Sequence, residues 1–226
     1  MLIKDALKIA KKDLYTEWKT KATIGAMLIF SMLVVLVFSF AFDPMRANVQ
    51  ALIPGLIWVL VVFGGMLGLN RAFVAESKND TIFALNIAPI DASSVYLGKC
   101  LANFILLLIV ELIAIPFLFL LFDYKFDLSY LGHFILVLLI GTFGFISAGT
   151  LLAALSAQTK SAEMILPLLL FPIVSPLLIG VTQATKVFLN SPENLSSAIS
   201  WIQLVGAYDV IIFAAGFLLY EYIQEV

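Results

Sequence analysis

Two carboxylates interrupt long apolar stretches of this chain, and they are the side chains best placed to carry chemistry. Glu111 lies midway along one stretch, and Asp209 follows Tyr208 near the start of another. A charge among apolar residues is costly and usually faces protein or water. For Glu111 we therefore expect a gate, a partner for a cation of another subunit, or a hydrogen-bonded and protonated packing residue. We expect Asp209 to lie near enough to a membrane surface to be hydrated.

His133 and Cys100 are the other candidates for chemistry. His133 is the single histidine, and a lone histidine is a residue to consider as an axial ligand of haem. No second histidine can complete a pair, and its place near the end of an apolar stretch is typical of an interfacial histidine. Cys100, the single cysteine, excludes an internal disulfide and a multi-cysteine metal site. We expect a buried, unreactive thiol, and we expect this chain to bind no cofactor or metal.

The sequence lacks the motifs of several enzyme classes. There is no Walker sequence, no GxSxG, no HExxH and no glycine-rich phosphate loop after a strand. The chain is therefore not expected to hydrolyse ATP or to act as an enzyme by itself. The net charge is −2 and no basic tract lies outside the N-terminal region, so no nucleic-acid partner is expected.

The composition indicates a membrane protein. Of the 226 residues, 62% are hydrophobic and 12% are charged, whereas a soluble domain has roughly 45–50% apolar and 25% charged residues. Continuous apolar runs of about 20 residues can cross a bilayer as helices, and they lack the alternation of barrel strands. We predict an all-α polytopic membrane protein with one domain, 1–226. The six predicted spans are 22–42, 51–69, 100–122, 131–155, 164–183 and 203–223.

Residues 1–21 predict an amphipathic helix rather than a span. Apolar residues recur at helical spacing, while most lysines fall on the other face, which is typical of a helix lying in the membrane interface. The alternative is a plain basic flank before the first span. The apolar stripe consists of Leu2, Ile3, Ala6, Leu7, Ala10, Leu14 and Trp18.

The distribution of Lys and Arg predicts the orientation. With the N-terminus inside, ten of these residues lie in cytoplasmic segments and three lie outside, namely Arg46, Lys125 and Lys186. Cytoplasmic loops carry an excess of Lys and Arg, so both termini are expected in the cytoplasm.

The longest hydrophilic stretch, residues 70–99, faces the cytoplasm in this orientation. It predicts an extension of the second span, a short helix at 81–87 between Asp80 and Pro89, and a helix leading into the third span. The short helix is apolar at a place expected to be in water, so it needs a cover. That cover is either another subunit, as for the coupling helices of ABC transporters, or the bilayer or the bundle itself. Its apolar residues are Ile82, Phe83, Leu85 and Ile87.

Prolines and small residues distinguish two further spans. Pro167, Pro172 and Pro176 weaken backbone hydrogen bonding in the fifth span, which predicts an irregular helix and a hinge. Small residues on the second and fourth spans predict close helix packing. These are Gly64, Gly65, Gly68, Gly141, Gly144 and Gly149.

Taken together, the order and spacing of several stretches resemble the CcmB family, the permease of the cytochrome c maturation ABC system. One departure stands at Trp18 and Lys19, where the family usually carries an arginine after the acidic residue. The resembling stretches are Asp13-Leu14 through Glu17-Trp18, 67–73 with Glu76, Ala88-Pro89 with 97–99, 141–145 and 151–176.

The resemblance implies a multi-pass subunit of the bacterial inner membrane that pairs with a separate ABC ATPase subunit, which binds the ATP. It also implies haem-handling membrane partners and a periplasmic haem chaperone, with haem as cargo and a homodimer or hetero-oligomer as the assembly. Glu76 is the best candidate for a polar contact in the loop, although a solvated acidic residue is the alternative. The candidate ATPase-coupling residues are Arg71, Phe73, Glu76, Ile82, Phe83, Leu85, Ala88 and Pro89.

Two other functions remain open on the sequence. One is an ABC-2-like permease for a lipid, a drug or a polysaccharide. The other is a non-transporting membrane scaffold or assembly factor for a haem-handling complex.

Overall fold

A computed structural model describes residues 2–42, 47–78, 90–157, 162–190 and 195–224. Within these ranges the chain is helical and contains no strand, which confirms the all-α prediction. A short 3₁₀ turn covers Leu128–Tyr130. The helices are α1 (Leu2–Thr20), α2 (Ala22–Ala41), α3 (Ala47–Gln50), α4 (Ile53–Lys78), α5 (Ala92–Leu121), α6 (Leu131–Ala157), α7 (Ala162–Asn190) and α8 (Leu195–Gln224).

Six of these helices are long and apolar enough to cross a membrane, namely α2 and α4 to α8. The third and sixth begin earlier than the sequence predicted, with apolar helical segments that start at Ala92 and Ser196. In the first turn of α5, the hydroxyls of Ser93 and Ser94 donate to the backbone carbonyls of Phe217 and Leu2. These bonds join the start of α5 to α8 and to α1.

Helices α4 and α6 lie at the centre of the bundle. About two-thirds of the apolar segment of α4 is buried (67%), and 61% of that of α6, against 17% each for α2 and α8. The faces of the outer helices are apolar and exposed, as at Ile29 and Leu218. Such faces suit contact with lipid, because exposing an apolar surface of this kind to water is unfavourable.

Helix α7 runs unbroken through its three prolines. Pro176 has no N–H to offer the carbonyl of Pro172, and the Ser175 hydroxyl donates to that oxygen over 2.9 Å instead. Leu166, Leu170 and Val174 form part of a buried stripe at helical spacing, which holds the helix against the bundle. The prolines thus leave the helix intact, and the hinge stays a prediction.

Close helix contacts occur at the predicted small residues. Gly141 lies against the Trp58 ring, Gly149 against Leu69, and Gly68 against Met27, with no room for a Cβ at any of the three without a shift of the neighbour. Small residues allow backbones to approach in this way. The packing prediction for these glycines is confirmed.

Helix α1 packs along the first half of α5. The backbone oxygen of Ala6 and the side chain of Ile9 lie against Gly98 of α5. Ile3, Leu7 and Trp18 form an exposed apolar flank. The predicted stripe is therefore divided, with one flank against protein and the other available to lipid.

Candidate functional site

Glu111 of α5 is buried between helices and is hydrogen-bonded to α6. The Thr142 hydroxyl donates to its Oε1 over 2.6 Å. The side chain of Glu111 is 4% exposed, and its Oε2 is buried without a hydrogen-bond partner. No Lys or Arg pairs with it within the described ranges. Glu111 is thus a buried carboxyl group with one hydrogen-bond donor, and its role stays a prediction.

Glu111 lines a narrow crevice between α2, α4 and α5. Ser31 of α2 lines the same crevice, and its hydroxyl is also buried without a partner. The crevice is too narrow for a water molecule. Oε2 of Glu111 and the hydroxyl of Ser31 therefore both lack a hydrogen-bond partner at a place where no water fits. Unsatisfied polar groups are costly in such surroundings.

Asp209 of α8 is buried, so the expectation that it is hydrated near a membrane surface is wrong. It is 6% exposed and its Oδ1 has no hydrogen-bond partner. The carboxylate lies directly against Gly144 of α6, where a Cβ would overlap Oδ1. The error came from the predicted start at residue 203, because α8 begins at Leu195 and Asp209 is therefore central in the helix.

The two carboxylates flank α6 at one level. Their contacts on α6, Thr142 and Gly144, are two residues apart, which is about 200° around a helix and about 3 Å along it. Glu111 and Asp209 therefore approach opposite faces of the same turn. We call these four residues the carboxylate layer. It can accept hydrogen bonds or hold protons in the middle of the bundle.

Sequence reasoning missed a second polar cluster around Tyr96 of α5. The Tyr96 hydroxyl donates to the carbonyl of Ser147 over 3.1 Å, and its ring contacts Phe213 and Tyr220 of α8. Gly216 lies against the hydroxyl end of this ring. The spacing of Phe213, Gly216 and Tyr220 on one helix face was the available signal.

Two acidic residues of α1, the first helix, bind to α5 and to the start of α2. Asp13 accepts from Lys12 over 2.9 Å and from Lys99 over 3.3 Å. Oε1 of Glu17 accepts from the backbone amides of Thr23 and Ile24 at the start of α2. Lys99, assigned from sequence to a loop, is 3% exposed. The signal was the pair of acidic residues four positions apart on α1.

Arg71 is the coupling candidate whose side chain is described. It donates from a terminal nitrogen to the carbonyl of Ala22 over 2.9 Å. Helix α4 continues to Lys78, which agrees with the predicted extension of the second span. The side chains of Phe73 and Glu76 lie outside the described part of the chain, as do the residues Ile82, Phe83, Leu85, Ala88 and Pro89.

His133 is exposed near the start of α6. Its ring stacks on Phe188 at 5.3 Å between centroids. The described residues contain no group of three His, Cys, Asp or Glu that could hold a metal ion. Cys100 is buried, as expected. The role of His133 as a haem ligand therefore stays untested.

An open pocket of about 630 Å³ lies at the same end of the bundle as His133, between Gln50, Lys125 and Asn190. The Tyr124 hydroxyl donates to the Leu189 carbonyl at its wall, and burial raises the pKa of Tyr124. The neighbouring Asp127 accepts from the backbone amide of Ser129, which lowers the pKa of the Asp127 carboxyl. His133 does not line this pocket.

Comparison with known proteins gives a consistent result. The family model described as CcmB protein matches residues 4–218. Heme exporter protein B of Haemophilus influenzae is 25% identical over 209 residues, which cover 92% of this chain and 94% of that protein. Proteins with the same name from Rhodobacter capsulatus and Bradyrhizobium diazoefficiens are 28% and 26% identical over 200 and 190 residues. The match to the Rhodobacter capsulatus protein covers 88% of each chain. The match to the Bradyrhizobium diazoefficiens protein covers 81% of this chain and 84% of that protein.

Proposed function

This chain belongs to the CcmB family, and we propose that it is the membrane-spanning permease subunit of an ABC transporter for haem export in cytochrome c maturation. The observation that carries the proposal is the family match over residues 4–218. Relatives matched over most of their length carry the name Heme exporter protein B. The six apolar helices agree with a permease.

The energy source in this proposal is a partner ABC ATPase subunit that binds and hydrolyses ATP. This chain has no nucleotide-binding motif of its own. In this proposal the ATPase subunit binds the loop between α4 and α5, which includes the apolar residues Phe83 and Leu85. Arg71 supports this route, because its bond to Ala22 joins the end of α4 to the start of α2.

The cargo is delivered outside the cytoplasm, to a periplasmic haem chaperone. The chain works beside other haem-handling membrane proteins in the inner membrane, as a homodimer or within a hetero-oligomer. Both termini are cytoplasmic, which follows from the ten-to-three distribution of Lys and Arg. Haem is the cargo in this proposal, and the name Heme exporter protein B of the matched relatives supports that choice.

ATP-driven movement of the loop passes into the bundle through α4 and α5. The carboxylate layer on α6 and the prolines of α7 are the elements that rearrange. Unpartnered oxygens on Glu111 and Asp209 support this assignment, since each can gain a hydrogen bond in a second arrangement.

The test of the function is complementation of a bacterial strain that lacks its own CcmB permease. Haem covalently attached to periplasmic cytochrome c is measured, together with the amount of haem-loaded chaperone. Restoration of cytochrome c is expected. Normal assembly of the partners with no haem attachment would overturn haem as the substrate and favour a permease for another substrate.

The contact with the ATPase is tested by co-purification. The chain alone is expected to show no ATPase activity and to co-purify with the ATPase when both are expressed. Phe83→Glu and Leu85→Glu should abolish co-purification. Leu128→Glu is the matched control, because Leu128 is an exposed apolar residue at the far end of the bundle. Retained co-purification of the loop variants would remove the contact from the proposal.

A further inference from the structure

Helix α1 packs on α5 with one half of its surface and leaves the other half exposed. On the packed half, the backbone oxygen of Ala6 and the side chain of Ile9 lie against α5. On the other half, Ile3, Leu7 and Trp18 are exposed, and Trp18 is the most exposed of the three at 78%. Contact of large apolar side chains with water is unfavourable, so this half of α1 needs a cover.

The exposed half of α1 is divided lengthwise into an apolar sector and a basic sector. Successive residues of a helix are about 100° apart around its axis. Ile3, Leu7 and Trp18 therefore lie within about 60° of one another, and they form the apolar sector. We call the two sectors together the exposed face of α1. The adjoining basic sector consists of Lys4, Lys8, Lys11 and Lys19.

Contacts at both ends of α1 place the exposed face at a surface of the membrane. Near the end of α1, Glu17 accepts from backbone amides in the first turn of α2. Near its beginning, the carbonyl of Leu2 accepts from the hydroxyl of Ser94 in the first turn of α5. The apolar segments of α2 and α5 begin at Ala22 and Ala92. Helix α1 therefore lies beside the starts of two membrane-crossing segments.

The charges of the exposed face favour an anionic partner. Lys4 and Lys11 are exposed, and neither forms an ion pair within the part of the chain that the structure describes. Lys19 lies over an aromatic ring of the same helix, which leaves its charge uncancelled. Lys8, by contrast, is paired with Asp5. Three cationic groups of the exposed face are thus not paired with a carboxylate in the described ranges.

The surface of an anionic bilayer is complementary to both sectors. A helix of this kind buries its apolar side at the boundary between headgroups and acyl chains, and its lysines attract anionic headgroups. Trp18 suits this depth, because tryptophan is enriched at the interface between membrane and water. One surface therefore satisfies the apolar side chains and the unpaired charges together.

We propose that the exposed face of α1 binds anionic phospholipids at the membrane surface. The apolar sector lies among the upper parts of the acyl chains, and Lys4 and Lys11 bind phosphate oxygens. No covalent step is involved. The contact requires neither haem nor an ATPase, so it does not depend on the proposed function.

The test places a fluorescent probe at Leu7, which lies beside both Lys4 and Lys11 on the helix surface, at spacings of three and four residues. The full chain with Leu7→Cys is labelled with bimane, and Cys100 is buried and should not react. It is reconstituted in vesicles of equal parts phosphatidylglycerol and phosphatidylcholine, with bromine on the acyl chains of one lipid or the other. Quenching of bimane by bromine then reports which lipid lies beside residue 7.

Phosphatidylglycerol should occupy the place beside residue 7 about fivefold more often than phosphatidylcholine, since a lysine at an anionic membrane surface contributes about 1 kcal/mol. Lys4→Gln combined with Lys11→Gln should bring this ratio close to one. Both lysines are exposed, so the melting temperature should not change. The matched control is Lys125→Gln combined with Lys186→Gln, which removes two exposed charges at the other end of the bundle and should preserve the ratio.

Three results would overturn the proposal. Equal quenching by the two lipids would show that the lysines select no anionic headgroup. Quenching by neither lipid would show that water or another protein covers the exposed face. An equal loss of the ratio in both pairs of variants would assign the preference to net charge and not to Lys4 and Lys11.

Discussion

The Thr142 hydroxyl donates its hydrogen bond to Oε1 of Glu111, and this bond joins the central helix α6 to α5 within the bundle. The opposite face of the same turn of α6 receives Asp209 at Gly144. The central helix is therefore held between two carboxyl groups, of which one has a donor and the other lies against bare backbone. These contacts give separate predictions for stability and for transport.

Glu111→Gln tests whether Glu111 acts by charge or by packing. The glutamine keeps an oxygen that accepts from Thr142, so the melting temperature in detergent should change little. Glu111→Ala removes the acceptor and should cost about 1–3 kcal/mol, because Thr142 is left buried and unsatisfied. Thr142→Ala is the partner control. A stable Glu111→Gln variant that attaches no haem to cytochrome c would identify a gating charge.

Gly144→Ala should weaken the packing of α8 on α6. The added Cβ overlaps Oδ1 of Asp209, and overpacking of a tight site costs about 1–3 kcal/mol. Gly132→Ala is the matched control on the same helix, since nothing lies within 4 Å of a Cβ there. Thermal unfolding in detergent measures both. Equal melting temperatures of Gly144→Ala and Gly132→Ala would show that α8 can shift to accommodate the added Cβ without loss of stability.

Glu17→Ala should loosen the start of α2. The lost cap is worth about 0.5–2 kcal/mol, so hydrogen exchange at the amides of Thr23 and Ile24 should rise by roughly 2- to 30-fold. Glu17→Gln retains an acceptor oxygen and should have a smaller effect. Asp5→Asn, which removes an exposed pair with Lys8, is the control on α1. Unchanged exchange in Glu17→Ala would mean that water replaces the cap.

Pro172→Ala tests the hinge in α7. Replacing an interior proline with alanine restores a helix hydrogen bond and favours the helical conformation by up to about 3 kcal/mol. The melting temperature should therefore hold or rise, while the yield of cytochrome c falls because the helix bends less readily. Pro54→Ala is the control, because Pro54 lies in the first turn of α4, where proline disturbs no hydrogen bond. An unchanged yield in Pro172→Ala would make the hinge hard to maintain.

His133→Ala should leave cytochrome c yield unchanged. The imidazole is exposed and stacks on Phe188, and His133 is the single histidine, so this chain cannot supply a pair of axial histidines to haem. His133→Phe keeps the stacking and serves as the control for local packing. A loss of haem attachment in both variants, with normal expression, would assign His133 a contact with the cargo.

The spans and the fold class could be predicted from the sequence because hydropathy alone determines them. The start of α5 agrees with the helix predicted to lead into the third span, whereas the start of α8 at Leu195 was not predicted. The predicted start of the sixth span at residue 203 placed Asp209 near a membrane surface, although it lies midway along α8. A start taken from an apolar run omits the polar first turns of the helix.

The carboxylate layer could be predicted only in part. Glu111 was recognisable as a buried charge, whereas its donor Thr142 and the contact of Asp209 with Gly144 depend on how three helices rotate against each other. The sequence places Lys99 at the cytoplasmic end of the third span but does not predict its burial, because its partner Asp13 is brought near only by the packing of α1 on α5.

The tie between Asp13 and Lys99 also has a consequence in time. The two residues are 86 positions apart in the chain, and a ribosome adds roughly 5–20 residues per second, so on the order of 4–17 s pass between their syntheses. During that interval α5 is incomplete, so the flank of α1 that contains Ala6 and Ile9 lacks the surface on which it packs in the finished bundle. Glu17 can join α1 to α2 early, whereas the flank that faces α5 is covered late, and nascent chains halted before Lys99 should leave that flank accessible to protease.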